Sequence, residues 1–133
     1  MSEANVELLR TGIAAWNQRE VDLWLNYAAP EIEWMPAGPA AVERAVYRGY
    51  DEVRKGIEAA WETWDRFEFH ESEVRDLGES ALWLGRVKMR GSTSGVELDQ
   101  EFAIHSVVRE GKFILIHTFL SWREGREAVG LSE

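Results

Sequence analysis

The residues best suited to acid–base or metal chemistry are His105 and His117, which lie on two predicted neighbouring strands. An imidazole exchanges its proton near neutral pH, and its ring nitrogens are common metal ligands. Two histidines without a third ligand or a nearby acid make a weak metal pattern. The pair therefore offers weak candidates for a general base, and the sequence predicts no metal site and no cofactor. The more frequent role of such a pair is as polar groups in an interface between two copies of a chain.

Three long antiparallel strands are predicted to carry these histidines, in residues 80–91, 95–111 and 112–122. Basic residues alternate on the first strand and acidic residues on the second. Opposite charges across a ladder favour pairing, which predicts Arg86 opposite Glu101, Lys88 opposite Asp99, and Arg90 opposite Glu97. The charged side is then the outer face of the sheet, and the mostly apolar side, beginning at Trp83, is the inner face.

The turn around Gly111 leaves the register of the second hairpin open between two alternatives. A type I turn with Gly111 as a bulge places Ile104 opposite Ile116 and directs both histidines outward, one ladder step apart. A two-residue turn at Glu110-Gly111 instead places His117 on the inner face beside Ile104, where it would be the best catalytic base in the chain.

Apolar residues on the outer face predict a homodimer. In the bulged register that face gathers Phe113, Leu115 and Phe119, and soluble monomers rarely expose an apolar patch of that kind. The last strand is apolar on both faces, which implies cover on both sides. The predicted helices suffice for one side only.

A small-molecule pocket is predicted over the inner face, because a mostly apolar cleft with a few hydroxyls is the usual form of such a site. Gly85 is expected to leave space in mid-strand, and Ser106 or Thr118 to orient a neutral, ring-containing ligand. The helices bring aromatic residues over the sheet, and Trp34 closes one side. The predicted pocket residues are Trp16, Tyr27, Trp34, Trp61, Trp83, Gly85, Val87, Met89, Phe102, Ile104, Ser106, Ile116, Thr118 and Leu120.

Helical periodicity precedes the strands. Apolar residues at helical spacing predict a first helix through Trp16, a second from Val21 that Pro30 ends, and a third capped by Asp51. Short strands are predicted at residues 31–35 and 67–77, and a short polar tail of one or two helical turns after Trp122. Helices followed by a run of strands predict an α+β fold, with a curved, mostly antiparallel sheet and three N-terminal helices.

Composition limits the function classes. The 133 residues form a single predicted domain, 1–133, and 45% of them are hydrophobic. The formal net charge of −9 argues against nucleic-acid binding. There is no cysteine, no apolar run of about 18 residues that would span a membrane, and no signal-peptide pattern at the N-terminus. A cytoplasmic protein with no membrane partner is therefore predicted.

Four stretches, residues 5–34, 46–64, 81–104 and 107–131, resemble the SnoaL-like polyketide cyclase family within the nuclear transport factor 2-like superfamily. The resemblance covers nearly the whole chain. It implies a sheet wrapped by helices into a cone, an α+β barrel with an apolar cavity, and a homodimer. Ketosteroid isomerases, limonene epoxide hydrolases and polyketide cyclases share this fold, which by itself does not give function.

Catalytic positions implied by the resemblance carry other residues here. The tyrosine and protonated aspartate of a ketosteroid isomerase align with Gly12 and Ile104, and its base falls at or beside Pro36. The acids of an epoxide hydrolase align with Lys88 and Thr118. Two functions therefore remain: a module that binds a small apolar molecule, and an isomerase, cyclase or hydrolase with a non-standard catalytic set that uses His117 or His105.

Overall fold

A computed structural model describes residues 2–38 and 45–131, which form four helices and six strands, an α+β fold as predicted. In the described chain, no helix is long and apolar enough to cross a membrane. The elements are α1 (Ser2–Asn17), α2 (Val21–Asn26), β1 (Ala28–Met35), β2 (Tyr47–Arg48), α3 (Gly49–Thr63), β3 (Trp64–Asp76), β4 (Ser80–Gly91), β5 (Glu97–Arg109), β6 (Lys112–Phe119) and α4 (Trp122–Ala128).

One sheet holds all six strands in the order β2-β1-β6-β5-β4-β3. Because β2 and β3 end the sheet as separate edges, it is not closed into a barrel. β1 runs parallel to β6, and the other neighbours are antiparallel. Helices α1 to α3 bury their apolar residues, including Leu9, Trp16 and Ile57, against the inner face of the sheet.

The β4–β5 register is the predicted one: Arg86 pairs with Glu101, Lys88 with Asp99, and Arg90 with Glu97. The side-chain ion pairs do not join directly paired residues: Arg86 reaches a diagonal neighbour on β5, and Arg90 reaches a residue on β3. Arg86 Nε lies 2.9 Å from Asp99 Oδ1, and Arg90 Nε lies 2.9 Å from Asp65 Oδ1 on β3. The hydrogen bond from Arg86 lowers the pKa of Asp99. Alternating charge therefore set the register of the backbone without fixing each side-chain partner.

The β5–β6 hairpin follows neither predicted register. Glu110 and Gly111 both have positive φ, 54° and 77°, and Arg109 pairs with Lys112, which is a two-residue turn. A β-bulge then leaves Ile114 as an extra residue, because Val107 pairs with Leu115 and Val108 with Phe113. Beyond the bulge, Ile104 pairs with Thr118 and His105 with His117, so the predicted opposition of Ile104 and Ile116 is wrong.

The bulge divides β6 into two parts that face differently. Phe113, before the bulge, is 1% exposed and belongs to the inner core, so its predicted place on the outer face is wrong. After the bulge, Ile116 and Thr118 are buried on the inner side, whereas Leu115, His117 and Phe119 are half-buried on the outer side. The extra residue thus keeps both histidines outward despite the two-residue turn.

Two helix boundaries differ from prediction. α2 ends at Asn26, and the chain enters β1 at Ala28 ahead of Pro30. The β1–β6 register shifts between Ala28 and Glu33, the stretch that contains this proline, because proline has no N–H for a ladder. α3 begins at Gly49 with Arg48 as its N-cap instead of Asp51, and the backbone N–H of Arg48 donates to Glu52 Oε1 at 2.8 Å.

The predicted polar tail is a helix that covers part of the outer face, so the expectation that helices cover only one side is wrong. Ser121 caps α4 by accepting a hydrogen bond from Glu124 N. Trp122 donates from Nε1 to the Gly85 carbonyl at 2.8 Å. The outward residues Leu82, Leu84 and Ala103 form a second buried cluster beneath this segment.

Gly85 does not leave the predicted space. A Cβ built on it would lie 2.2 Å from the His70 carbonyl and 2.5 Å from Trp83 Cη2. The indole of Trp83, two residues earlier on the same face, therefore fills the room that the glycine provides. Gly85 is needed for close packing of β3, β4 and Trp83.

Replacing Gly85 with alanine should therefore destabilise the fold by about 3 kcal/mol or more, since the nearest obstacle is backbone that cannot rotate away. Gly95→Ala is the control. Gly95 lies in the β4–β5 turn with φ +74° and nothing within 4 Å of its Cβ position, so only about 1 kcal/mol of backbone strain is expected. Urea unfolding of both variants measures the difference, and equal stabilities would contradict this packing.

Candidate functional site

A cavity of about 40 Å³ lies between the helices and the inner face of the sheet. Helices α1 and α2 form one side of it, and strands β1, β3, β5 and β6 form the rest. Its wall is aromatic and aliphatic except for one hydroxyl. The lining residues are Leu9, Gly12, Ile13, Trp16, Trp24, Trp34, Phe67, Phe69, Phe102, Ile104, Phe113, Ile116 and Thr118.

Trp16 connects the aromatic residues of the wall. Its ring lies 5.0 Å from that of Phe67, 5.4 Å from Phe69 and 5.9 Å from Trp34, between ring centroids. Its Nε1 donates to the Phe67 carbonyl at 3.1 Å, so this buried indole is satisfied. Edge-to-face contacts of this kind each contribute roughly 0.5–1.5 kcal/mol beyond area burial. The indole is thus held in place by packing on several sides.

Asn17, at the end of α1, hydrogen-bonds the helix to the edge strand β3. Its side-chain amide donates to the Phe69 carbonyl at 3.0 Å, and its Oδ1 accepts from Phe69 N at 2.9 Å. This bidentate contact and the Trp16 hydrogen bond attach the helix to two residues of β3 that line the cavity. The α1 wall is therefore fixed relative to the sheet.

The opposite end of the wall is built around Gly12. A Cβ on Gly12 would lie 3.1 Å from Phe113 Cε2 and 3.8 Å from Trp24 Nε1. Trp24 stacks on Phe113, with ring centroids 6.2 Å apart and an interplanar angle of 26°. The missing side chain on α1 thus lets the Phe113 ring, turned inward by the bulge, approach the helix.

Six of the predicted pocket residues line the cavity: Trp16, Trp34, Phe102, Ile104, Ile116 and Thr118. The other predicted residues lie elsewhere. Most of them are core or packed against it, namely Tyr27, Trp61, Trp83, Val87 and Met89. The space beside Gly85 is filled by the Trp83 indole, as described above.

Tyr27, Leu120 and Ser106 depart from prediction for separate reasons. Tyr27 is half-buried just after α2 ends, and its carbonyl accepts from Phe113 N at 2.8 Å. Leu120 follows the end of β6, is 39% exposed and packs over Gly38. Ser106 is fully buried, but its hydroxyl is outside the cavity wall and has no hydrogen-bond partner in the described structure.

Sequence reasoning missed seven residues of the wall: Leu9, Gly12, Ile13, Trp24, Phe67, Phe69 and Phe113. Leu9 and Ile13 follow the helical spacing that predicts the buried face of the first helix, and Trp24 follows that of the second, but periodicity separates core from surface and not core from cavity. Gly12 gave a usable signal, because a glycine inside an amphipathic helix often marks a close approach. Phe113 required knowledge of the bulge.

Polar groups are few in this cavity. Thr118 Oγ1 donates to the Met35 carbonyl at 3.3 Å. No described lining residue carries a carboxylate or an imidazole. Groups that could transfer a proton near neutral pH are therefore missing from the described wall.

The two histidines stand directly opposite each other on the outer face, away from the cavity. Burial lowers the pKa of both, and the neighbouring His117 lowers that of His105 further. His117 also packs against Phe119, with ring centroids 4.3 Å apart. Within residues 2–38 and 45–131, no three potential ligand side chains come together to hold a metal. The two imidazoles thus form a polar pair on a partly apolar surface, and the lowered pKa values favour their neutral forms.

Three solved structures share this fold. One is an NTF2-like protein of unknown function from Burkholderia pseudomallei K96243 (17% identity, 96% of this chain and 98% of that chain covered, TM-score 0.80). The second is TerC co-crystallised with polyporic acid (17% identity, 93% of this chain and 96% of that chain covered, TM-score 0.78). The third is a protein of ketosteroid isomerase-like fold from Catenulispora acidiphila DSM 44928 in complex with trimethylamine (10% identity, 94% of this chain and 93% of that chain covered, TM-score 0.76). At these identities the likeness shows the fold alone.

A search of curated proteins found no match. The sequence model of the SnoaL-like domain matches residues 9–116, which include every residue of the cavity wall except Thr118. This match spans most of the chain, and the fold agrees with it. The protein therefore belongs to the SnoaL-like domain family.

Proposed function

We propose that this protein binds a small, apolar, ring-containing molecule in the cavity between α1 and the inner face of the sheet. The observation that carries the proposal is the wall itself, which is lined by aromatic and aliphatic side chains with one hydroxyl. Pockets for small molecules have this composition, with few polar groups to fix orientation. Two proteins of the same fold were crystallised with small molecules, polyporic acid and trimethylamine.

The size of the cavity restricts how such a molecule enters. The volume is about 40 Å³, whereas an engineered apolar cavity of about 150 Å³ is known to accept benzene. A ring therefore needs lining side chains to move apart. Phe113 is among these side chains. A cavity this small favours a compact guest over a large polycyclic one.

Binding is favoured over acid–base catalysis by the chemistry of the wall. An isomerase, cyclase or epoxide hydrolase with a non-standard set would need a group that exchanges protons beside the ligand. His105 and His117, the candidates for that role, lie on the outer face. The positions that resemblance assigns to catalytic groups, Gly12 and Ile104, do line the cavity, but neither carries a titratable group.

Adding one methyl group at Gly12 tests the location of this site. Gly12→Ala places a Cβ against Phe113 and occupies part of the cavity, so ethylbenzene should bind at least about 10-fold more weakly than to the wild type. Chemical-shift titration of indole and methyl resonances measures the affinity.

Ala14→Gly is the matched control for the change in helix propensity, since Ala14 is exposed on the same helix. Its affinity for ethylbenzene should equal that of the wild type. Undiminished binding by Gly12→Ala would place the site elsewhere, and failure of the wild type to bind the probe would contradict the proposed function.

We also propose that two copies associate through the outer face. Leu115, Phe119 and the histidine pair are half-buried there, beside the part that α4 covers. The bordering Glu33 and Arg48 form an ion pair, which gives the patch a polar rim. An apolar centre with a polar rim is the usual anatomy of a protein interface. Phe113 has no part in this surface.

Sedimentation should therefore give about twice the chain mass of 15.3 kDa at micromolar concentration. Leu115→Lys should shift the protein to monomer, because it buries a charge in the interface. Val96→Lys is the control, since Val96 is 52% exposed in the β4–β5 turn and should leave the dimer intact. A wild type that sediments as a monomer would refute the interface.

A further inference from the structure

The indole N–H of Trp24 is a hydrogen-bond donor left without a partner on the wall of the cavity. Trp24 is 6% exposed and lines the cavity, and nothing in the described parts of the chain accepts from its Nε1. The side-chain polar atoms that are both fully sealed and unpartnered are Trp61 Nε1, Trp83 Nε1 and Ser106 Oγ. Trp24 Nε1 differs from these three because it retains contact with open space.

The position of this donor is set by its neighbours. Nε1 lies 3.8 Å from the point where Gly12 would carry a Cβ, so the N–H stands beside this glycine of the cavity wall. Stacking on Phe113 and burial in the core hold the indole ring. The N–H is therefore presented by packing, without a hydrogen bond of its own to give up.

Other polar groups on the wall are differently placed. Trp16 Nε1 already donates to Phe67 O, and the Thr118 hydroxyl donates to Met35 O. The indole of Trp34 also lacks a hydrogen bond in the described structure, but its ring stacks on Tyr47 at 5.2 Å and is not among the atoms nearest Gly12. Beside Gly12, then, the side chains offer one hydrogen-bond donor, the indole of Trp24.

We infer that the guest of this cavity carries a hydrogen-bond acceptor, such as a ketone oxygen on an aromatic ring, and presents it to Trp24 Nε1. The inference rests on the proposed function, because it names the ligand class of the same site. An acceptor placed against this N–H gains a hydrogen bond that a pure hydrocarbon cannot make, so a guest with an acceptor is selected over a hydrocarbon.

The probe pair acetophenone and ethylbenzene tests this directly, because the two differ chiefly in a carbonyl. Acetophenone should bind the wild type about 5- to 10-fold more tightly than ethylbenzene, the ratio expected for one net hydrogen bond. Trp24→Phe keeps an aromatic ring against Phe113 and removes the donor, so the two probes should then bind equally. Trp61→Phe, a matched change outside the cavity wall, should keep the preference.

A measurement on the wild-type protein tests the same inference without depending on the folding of Trp24→Phe. In proton–nitrogen spectra of the wild type, acetophenone should shift the Trp24 Nε1–H resonance downfield and ethylbenzene should not. If ethylbenzene binds but acetophenone has no advantage, or if Trp34→Phe alone removes the preference, the inference is wrong while the proposed function stands. If neither probe binds, both are wrong.

Discussion

The β-bulge in β6 determines which side chains face the cavity and which face away. A two-residue turn at Glu110-Gly111 would by itself send every β6 side chain from Leu115 onward to the face opposite its observed one, since side chains alternate strictly along a strand. One extra residue, Ile114, reverses that shift for the rest of the strand. Phe113 therefore contributes to the cavity from before the bulge, and Ile116 and Thr118 from after it, while His105 and His117 meet on the outer face.

The sequence predicts the β4–β5 hairpin and not β5–β6 for a physical reason. Lys88 and Asp99 belong to an alternating charge pattern that permits one pairing, because a slip by one residue would place charges among apolar side chains. The segment from Phe113 to Phe119 is apolar on both faces and so gives similar burial in more than one register. Local turn chemistry cannot reveal a bulge several residues away.

The same limit explains why the site was only partly predicted. Trp16, Trp34 and Ile104 were found because inward faces of helices and strands follow from periodicity. Whether an inward residue packs solidly or borders a cavity depends on the shapes of its neighbours. Gly85 and Gly12 illustrate this, since the Trp83 indole fills the space beside Gly85, whereas Gly12 borders the cavity next to Phe113 and Trp24. The sequence predicts one or two helical turns after Trp122, but the cover that α4 gives to the outer face becomes evident only when that face is known.

The aromatic wall of the cavity is held by several edge-to-face contacts. Such a wall is better suited to recognising the shape of a ligand and one hydrogen-bonding group on it than to transferring protons. Trp16 is fixed by its neighbours and by β3, and the Phe113 ring packs closely against α1 at a position without a side chain. Both rings are therefore held by packing. Titratable groups are instead arranged at the surface, where the charge ladder of β4 and β5 stabilises the sheet that supports the cavity.

The register of β5 against β6 is tested most directly by cross-linking, because the chain contains no cysteine to interfere. His105→Cys with His117→Cys places two thiols on directly paired residues, within reach of a disulfide. We expect rapid intramolecular oxidation of this pair, identified by peptide mass mapping, and little for His105→Cys with Leu115→Cys or with Ile116→Cys. Preferential oxidation of either of the latter pairs would show that the bulge at Ile114 is absent, and preferential oxidation with Ile116→Cys would also show that the inward and outward residues after Phe113 are assigned wrongly.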